Sequence, residues 1–274
     1  ILNTLQNGNM VLGRYDSKDP NKYVLYEESQ LKDPQTFNCD TKEPEWDNAY
    51  LEEMRKLALN TPLETRAGNC VKIYFEFDQQ FTSKHGGASG ATNYFSGIFN
   101  GMKTLYANES IDVQISEIFA WTTPDPYPSG NTSSSLNAFV TQRSNNFNGD
   151  LAHLISLLPS GGGGGIAYVD ALCAVYGNTD YRFAYSEVSN TTSPVPSFPT
   201  YSWSVNVVTH ETGHMLGSPH THSCSWPGGP IDNCAPVEDG SCAAGPTPPT
   251  GGGTIMSYCH LNGKPGISFT NGFG

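Results

Sequence analysis

Four side chains within eleven residues can do chemistry together: His210, Glu211, His214 and His220, in HETGHMLGSPH. On a helix, residues i and i+4 share a face, so His210 and His214 can aim their imidazoles at one metal ion. Glu211 projects beside that ion rather than at it. Gly217 tolerates positive φ and lets the chain leave the helix, and Pro219 discourages a return. The turn then delivers His220 as a third nitrogen. Three neutral imidazoles at about 2.0–2.1 Å leave a fourth position for water, the arrangement of a catalytic rather than a structural zinc site. Glu211 is the candidate general base for that water. A bare HExxH recurs by chance in helices. The added Gly217 and His220 fix five positions in the window, which makes coincidence hard to sustain.

A Met-containing turn is expected after such a motif, and GTIMSY at 253–258 supplies Met256. With these residues in place the chain resembles the metzincin clan of zinc metallopeptidases, and within it is most similar to the adamalysin (reprolysin) family. Residues 111–121 (IDVQISEIFAW) resemble that family's second strand. Residues 150–154 (DLAHL), then 165–169 (GIAYV) and Cys173, resemble the helix, edge strand and cysteine ahead of the active-site helix. The likeness spans about residues 70–260. Thr221 stands where adamalysins usually carry Asp and astacins Glu. Tyr258, two residues after the Met, is similar to the tyrosine that astacins and serralysins bring near the metal. It is read either as a fifth ligand or donor to the tetrahedral intermediate, or as a packed residue of the turn. The resemblance implies an α/β (α+β) catalytic domain with a twisted mixed sheet and helices in an upper part. A small irregular lower part follows His220. It further implies that a peptide substrate pairs with an edge strand drawn from Gly164, Gly165, Ile166, Ala167, Tyr168 and Val169. The family's long C-terminal helix is absent or cut off at residue 274.

The elements that must hold these residues are partly visible in the pattern. Residues 70–77 (CVKIYFEF) and 111–121 alternate like strands, and 92–106 and 135–143 have helical spacing. Residues 150–158 read as a helix-like apolar run. The five glycines at 161–165 read as a tight connection to a strand at 166–169. Upstream, residues 1–66 are polar. They carry one acidic, helix-like piece at 43–59 and a break at Thr61-Pro62. The expected division is a pro-segment at 1–66 and a catalytic domain at 67–274.

Composition narrows the rest. A net charge of −12 disfavours nucleic acid and anionic membrane surfaces, and no apolar run reaches membrane-spanning length. By the resemblance the expected partners are protein or peptide substrates, with the chain a monomer. Seven cysteines without a CxxC pair argue for disulfides in an oxidising compartment, hence a secreted protein. Cys224, Cys234, Cys242 and Cys259 crowd a Gly/Pro-rich stretch. Three pairings are possible; Cys224–Cys259 with Cys234–Cys242 is preferred, and Cys70–Cys173 would join two strand ends. Cys39 is then the odd cysteine. By resemblance to metzincin pro-segments its thiolate would take the fourth zinc position in a latent form, with cleavage at Arg55, Lys56 or Arg66 releasing it. An ordinary disulfide or a free thiol are the other readings of Cys39, and Asp40 is a second candidate for the blocking role. His222 and His260 are read as surface or packing residues. Calcium is compatible with a loop-rich secreted enzyme, but no motif for it occurs. Two other functions are open: a non-catalytic zinc module for recognition or adhesion, and a zinc aminopeptidase.

Overall fold

The computed structural model describes residues 2–3, 9–14, 23–27, 37–41, 70–128, 131–159, 163–172, 174–176, 179–238, 242–261 and 264–274. The helix-like piece at 43–59, the break after Thr61 and the three basic cleavage candidates lie outside them. In chain order the strands are β1 (Leu2–Asn3), β2 (Asn9–Arg14), β3 (Tyr23–Glu27), β4 (Phe37–Cys39), β5 (Val71–Phe77), β6 (Val113–Ala120), β7 (Leu151–Leu157), β8 (Gly163–Ala167), β9 (Val175–Tyr176), β10 (Thr179–Asp180) and β11 (Phe183–Val188). The helices are α1 (Gln79–Lys84), α2 (Ala88–Asn108), α3 (Thr132–Arg143) and α4 (Trp203–Met215).

β1, β2 and β3 form a small antiparallel sheet, and β9 pairs with β10. The sheet that carries the site has the order β4-β8-β11-β7-β5-β6. Its ladders are parallel except β8 against β11, so the expected mixed sheet is present. Such a sheet needs cover on both faces. On one face Phe75, Phe77, Leu151 and Ile155 join a core with Phe95, Ile98 and Met102 of α2 and Val207 and Val208 of α4. On the other, Tyr74, Ala152, Leu154, Phe183 and Tyr185 pack on Leu136 and Phe139 of α3.

This two-sided burial explains a correction. Residues 150–158 are not helical: β7 runs through them, between β5 and β11, with Leu151 to Ser156 all buried. A strand covered on both faces loses its polar alternation, and a short apolar run then looks like a helix. The glycine run also differs from expectation, because Gly163, Gly164 and Gly165 lie inside β8 rather than in a connection to it. Tyr168 and Val169 follow the end of that strand.

The helices start where the local chemistry says they should. Asp78, Asn131 and Ser202 each cap a helix by accepting a backbone N–H with the side chain, at Phe81, Ser134 and Val205. α2 buries Ala91, Phe95, Ile98, Met102, Leu105 and Tyr106 along one stripe. α4 is buried at every position, as a helix crossing the centre of a domain must be. Gly101 lets α2 close on α4, since a Cβ there would sit 2.9 Å from Val205. After Met215 regular structure gives way to turns, an isolated bridge between Gly253 and Ile267 and a 3-10 turn at Phe269–Asn271.

Two disulfides hold this lower part: Cys224–Cys242 and Cys234–Cys259, with Cα separations of 5.8 and 5.0 Å. The four cysteines are those expected, but the partners are exchanged. The two bridges overlap along the chain instead of nesting, because fully buried Cys259, just past the Met256 turn, lies against buried Cys234. Cys70 carries a free thiol, and the proposed pairing with Cys173 falls outside the described residues.

Candidate metal centre and active site

α4 presents His210 and His214 one turn apart, both fully buried. Gly217, at φ 93°, ends the helix, and the chain turns back to bring in His220, also fully buried. Each ring is fixed through Nδ1. His210 Nδ1 lies 2.8 Å from the Ile255 carbonyl, His214 Nδ1 2.9 Å from the Ser218 carbonyl, and His220 Nδ1 2.7 Å from Glu238 Oε1. Carbonyl and carboxylate oxygens only accept, so each Nδ1 carries the proton and each Nε2 bears a lone pair. His214 Nε2 stands 3.1 Å from both His210 Nε2 and His220 Nε2. None of the three nitrogens has a proton to share, so these contacts cannot be hydrogen bonds. A cation between them resolves the repulsion. An ion at about 2.0–2.1 Å from each nitrogen of a tetrahedral site holds them about 3.3 Å apart. Burial pushes the pKa of all three imidazoles down, which keeps them neutral and fit to ligate.

Cys39 completes the cage from β4. Its Sγ lies 3.6 Å from His214 Nε2, and the four ligand atoms are all within 4.8 Å of one another. A tetrahedral ion with sulfur at about 2.3 Å and nitrogen at about 2.0–2.1 Å separates those atoms by about 3.6 Å. Without a cation the surroundings oppose ionisation of this thiol: burial first, then the Glu211 charge, push its pKa up. A coordinated ion inverts that logic and takes the thiolate outright. The residues present therefore fit a metal ion.

Glu211 sits one residue past the first ligand and is fully buried. Its Oε2 accepts from Thr41 Oγ1 at 3.2 Å and from Cys39 Sγ at 3.7 Å. Its Oε1 has no hydrogen-bond partner among the described residues, an orphan that a bound water can satisfy. Burial raises its pKa to about 8. The carboxylate packs on the backbone of β8 at Gly165, where a Cβ would come within 2.5 Å of Glu211 Oε1. Gly165 of β8 thus makes room for the acid.

Met256 lies beneath α4. A Cβ at Gly213 would come within 2.8 Å of Met256 Sδ, so that glycine admits the turn, and neighbouring Ile255 supplies the acceptor for His210. Tyr258 Oη donates to the Cys39 carbonyl at 3.1 Å, with its ring centroid 4.8 Å from that of His220. Asp40 points away from the ligand cluster, to Thr132 Oγ1. His222 is not a surface residue: it is 2% exposed and stacks on His220.

Three residues here escaped the sequence reading. Thr41, besides reaching Glu211, accepts the Ala167 N–H at 2.8 Å, which ties residues 39–41 to the end of β8. His153 on β7 bridges Thr212 Oγ1 of α4 (3.1 Å) and Ser186 Oγ of β11 (2.8 Å), and burial lowers its pKa to about 3. Glu238, in a loop rich in Gly and Pro, holds His220. Nothing in the sequence marks any of them, because each acts through a contact made far along the chain. The convergent His, Cys and acidic groups among the described residues all contain His or Cys, so none is an all-oxygen cage of the kind calcium takes.

Known proteins place this geometry in context. Curated proteins gave no match. Among solved structures, metalloproteinase II from Bacteroides fragilis aligns at 14% identity with a TM-score of 0.40, over 73% of this chain and 53% of that one. The chain thus spans about half the length of that structure. The model of Reprolysin_5, metallo-peptidase family M12, matches residues 67–266, which include all three histidines, Glu211 and Met256. The chain belongs to metallo-peptidase family M12, a family of metalloproteases whose chemistry implies zinc at the three-histidine centre.

Proposed function

We propose that this chain is a secreted zinc endopeptidase of the adamalysin type, held latent by its own residues 1–66. The observation that carries the reading is the convergence of His210, His214, His220 and Cys39 on one point, with Glu211 beside it. Zinc, when bound, acts as a Lewis acid toward water and the scissile carbonyl. The protein's own groups do the rest. The Nδ1 acceptors fix all three imidazoles. Glu211, whose buried Oε1 has no hydrogen-bond partner among the described residues, takes a proton from the attacking water and passes it to the leaving amine. Tyr258 Oη, which meets a backbone carbonyl of residue 39, is placed to donate to the carbonyl oxygen of a peptide in that position.

Latency follows from β4. Its Cys39 stands where water must bind, and Thr41 holds the base. Its backbone pairs with β8 from Phe37 opposite Gly163 to Cys39 opposite Gly165. Removing it frees the edge for an extended peptide, the β-augmentation mode of recognition. The same segment supports an endopeptidase over an aminopeptidase, because the site accepts residues from the middle of a chain rather than only a terminus. The presence of Glu211 argues against a purely adhesive module. Two disulfides fit an oxidising, extracellular setting, and no helix among the described residues is long and apolar enough to cross a membrane.

The test compares intact protein, Cys39→Ala and trypsin-treated protein on an internally quenched peptide and an N-terminal chromogenic substrate, with metal analysis of each. The expected result is one zinc, little activity when intact, and strong cleavage of the quenched peptide after either treatment. Glu211→Gln should keep the zinc and lose the activity, by about 100-fold or more. Full activity of the intact chain would remove the latency reading. Activity of Glu211→Gln close to wild type would remove the mechanism.

A further inference from the structure

Of the three ligands, two direct Nδ1 at backbone carbonyls, while His220 directs it at a carboxylate. His220 is also the ligand that lies outside α4, so no helix fixes its direction. The residues around it are stitched together separately. Ile231 N donates to the Thr221 carbonyl at 2.7 Å, and Thr221 Oγ1 donates to Asp232 Oδ2 at 2.6 Å. Asp232 Oδ1 in turn accepts the Cys234 N–H at 2.9 Å. Trp226 Nε1 donates to the His220 carbonyl at 2.7 Å. Glu238 lies between two anchored cysteines, four residues after Cys234 and four before Cys242, and each belongs to a different disulfide.

We infer that Glu238 is a positioning residue of the metal centre: it fixes the tautomer and direction of His220 and strengthens that ligand, and the two disulfides deliver it there. The inference rests on the zinc-peptidase reading above. A carboxylate behind a ligating imidazole raises its basicity, and losing such a partner costs about 10–100-fold in metal affinity. A carbonyl fixes orientation without supplying charge, so the third ligand gains from Glu238 what the other two lack. His222 Nε2 approaches the same Oε1 at 3.4 Å, and its ring stacks on His220 with centroids 5.1 Å apart. His220, His222 and Glu238 do not form a second ion site, because His220 Nδ1 must keep its proton to present Nε2 to the first.

The experiment uses the full chain carrying Cys39→Ala, so that the thiol does not mask the effect. Zinc affinity is measured by competition with a chromogenic chelator for the Glu238 parent, Glu238→Gln and Glu238→Ala. Visible spectra of the cobalt-substituted proteins and melting of the zinc-free forms are recorded alongside. Zinc should bind Glu238→Ala about 10–100-fold more weakly than the parent, and Glu238→Gln should fall between, since its amide oxygen still accepts the Nδ1 proton. The cobalt bands should shift while the zinc-free melting temperatures stay together. Affinity of Glu238→Ala within two-fold of a zinc-binding parent would overturn the inference. So would a loss of zinc-free stability that accounts for the whole affinity change. A parent that binds no zinc would instead refute the peptidase reading, and the role of Glu238 with it.

Discussion

Adding one methyl group to β8 should disable the candidate general base, Glu211, without touching a metal ligand. The perturbation is Gly165→Ala. Gly165 lies in regular strand geometry, so alanine meets no backbone obstacle, but its Cβ would fall 2.5 Å from Glu211 Oε1 and 2.6 Å from Cδ, with Cγ closer still. Non-bonded contact begins near 3.5 Å, so the carboxylate must retreat by roughly 1 Å. Glu211 is fully buried, and its Oε2 is held by Thr41 Oγ1, so the retreat strains a fixed carboxylate. A displacement of that size at a catalytic group costs about 100-fold in rate, and overpacking adds about 1–3 kcal/mol of instability. The assay is kcat/KM on a quenched peptide in the Cys39→Ala background, with zinc content and thermal melting on the same samples. The expected outcome is a loss of about 100-fold in kcat/KM with zinc retained, because the atoms nearest the new methyl group all belong to Glu211. A kcat/KM within three-fold of the parent would show that Glu211 does not need the space Gly165 leaves.

Three other outcomes are expected. His153, with a folded pKa of about 3 against about 6.5 unfolded, resists a proton that the unfolded chain accepts. Its contribution is complete above about pH 6.5 and is lost as pH falls toward 3, about 2–3 kcal/mol of it by pH 4.5. Denaturant titrations at pH 7.5 and 4.5 should show a smaller difference for His153→Gln than for wild type, and equal differences would count against this. Tyr258→Phe should slow turnover several-fold while leaving zinc bound, whereas an unchanged kcat would reduce Tyr258 to a packing residue. Peptide mapping without reductant should recover Cys224 with Cys242 and Cys234 with Cys259. Closing a loop with a separation of 25 residues, the second bridge is worth about 3.5 kcal/mol, readable as a lower melting temperature in Cys234→Ala/Cys259→Ala.

What could be read in advance follows from locality. His210, Glu211, His214, Gly217 and His220 act through helix periodicity and one turn, so their spacing carries their geometry. α2, with its buried stripe from Ala91 to Tyr106, and the alternating β5 were legible for the same reason. β7 was not, because a strand covered on both faces has no period to read. The role of Gly163 to Gly165 as strand residues was hidden because a glycine run also suits a turn, and only distant neighbours, Glu187 at Gly163 and Glu211 at Gly165, show why side chains are excluded. The disulfide partners depended on where the 255–259 turn lands in space. Glu238, Thr41 and His153 are polar residues of ordinary types whose importance comes entirely from what lies opposite them. Cys39 was singled out by parity and resemblance, and the structure sets its sulfur 3.6 Å from His214 Nε2.

The pairing of β4 with β8 has a consequence for how such a segment lets go. Residues 37–41 hold on through a strand ladder, a sulfur at the histidine cluster and a hydroxyl on Glu211. While the chain is continuous these contacts are multivalent and tethered, and each one that opens sees the others at an effective concentration on the order of millimolar. Losing the hydroxyl contact alone would leave the segment seated, whereas losing the sulfur would reopen the fourth position at the histidine cluster. A cut in the connecting chain would remove the tether, and the segment would become a free peptide whose rebinding depends on its concentration in solution. On the latent-form proposal, release would then be driven by dilution: the same contacts that close the site in one molecule would be too few to hold it closed in two.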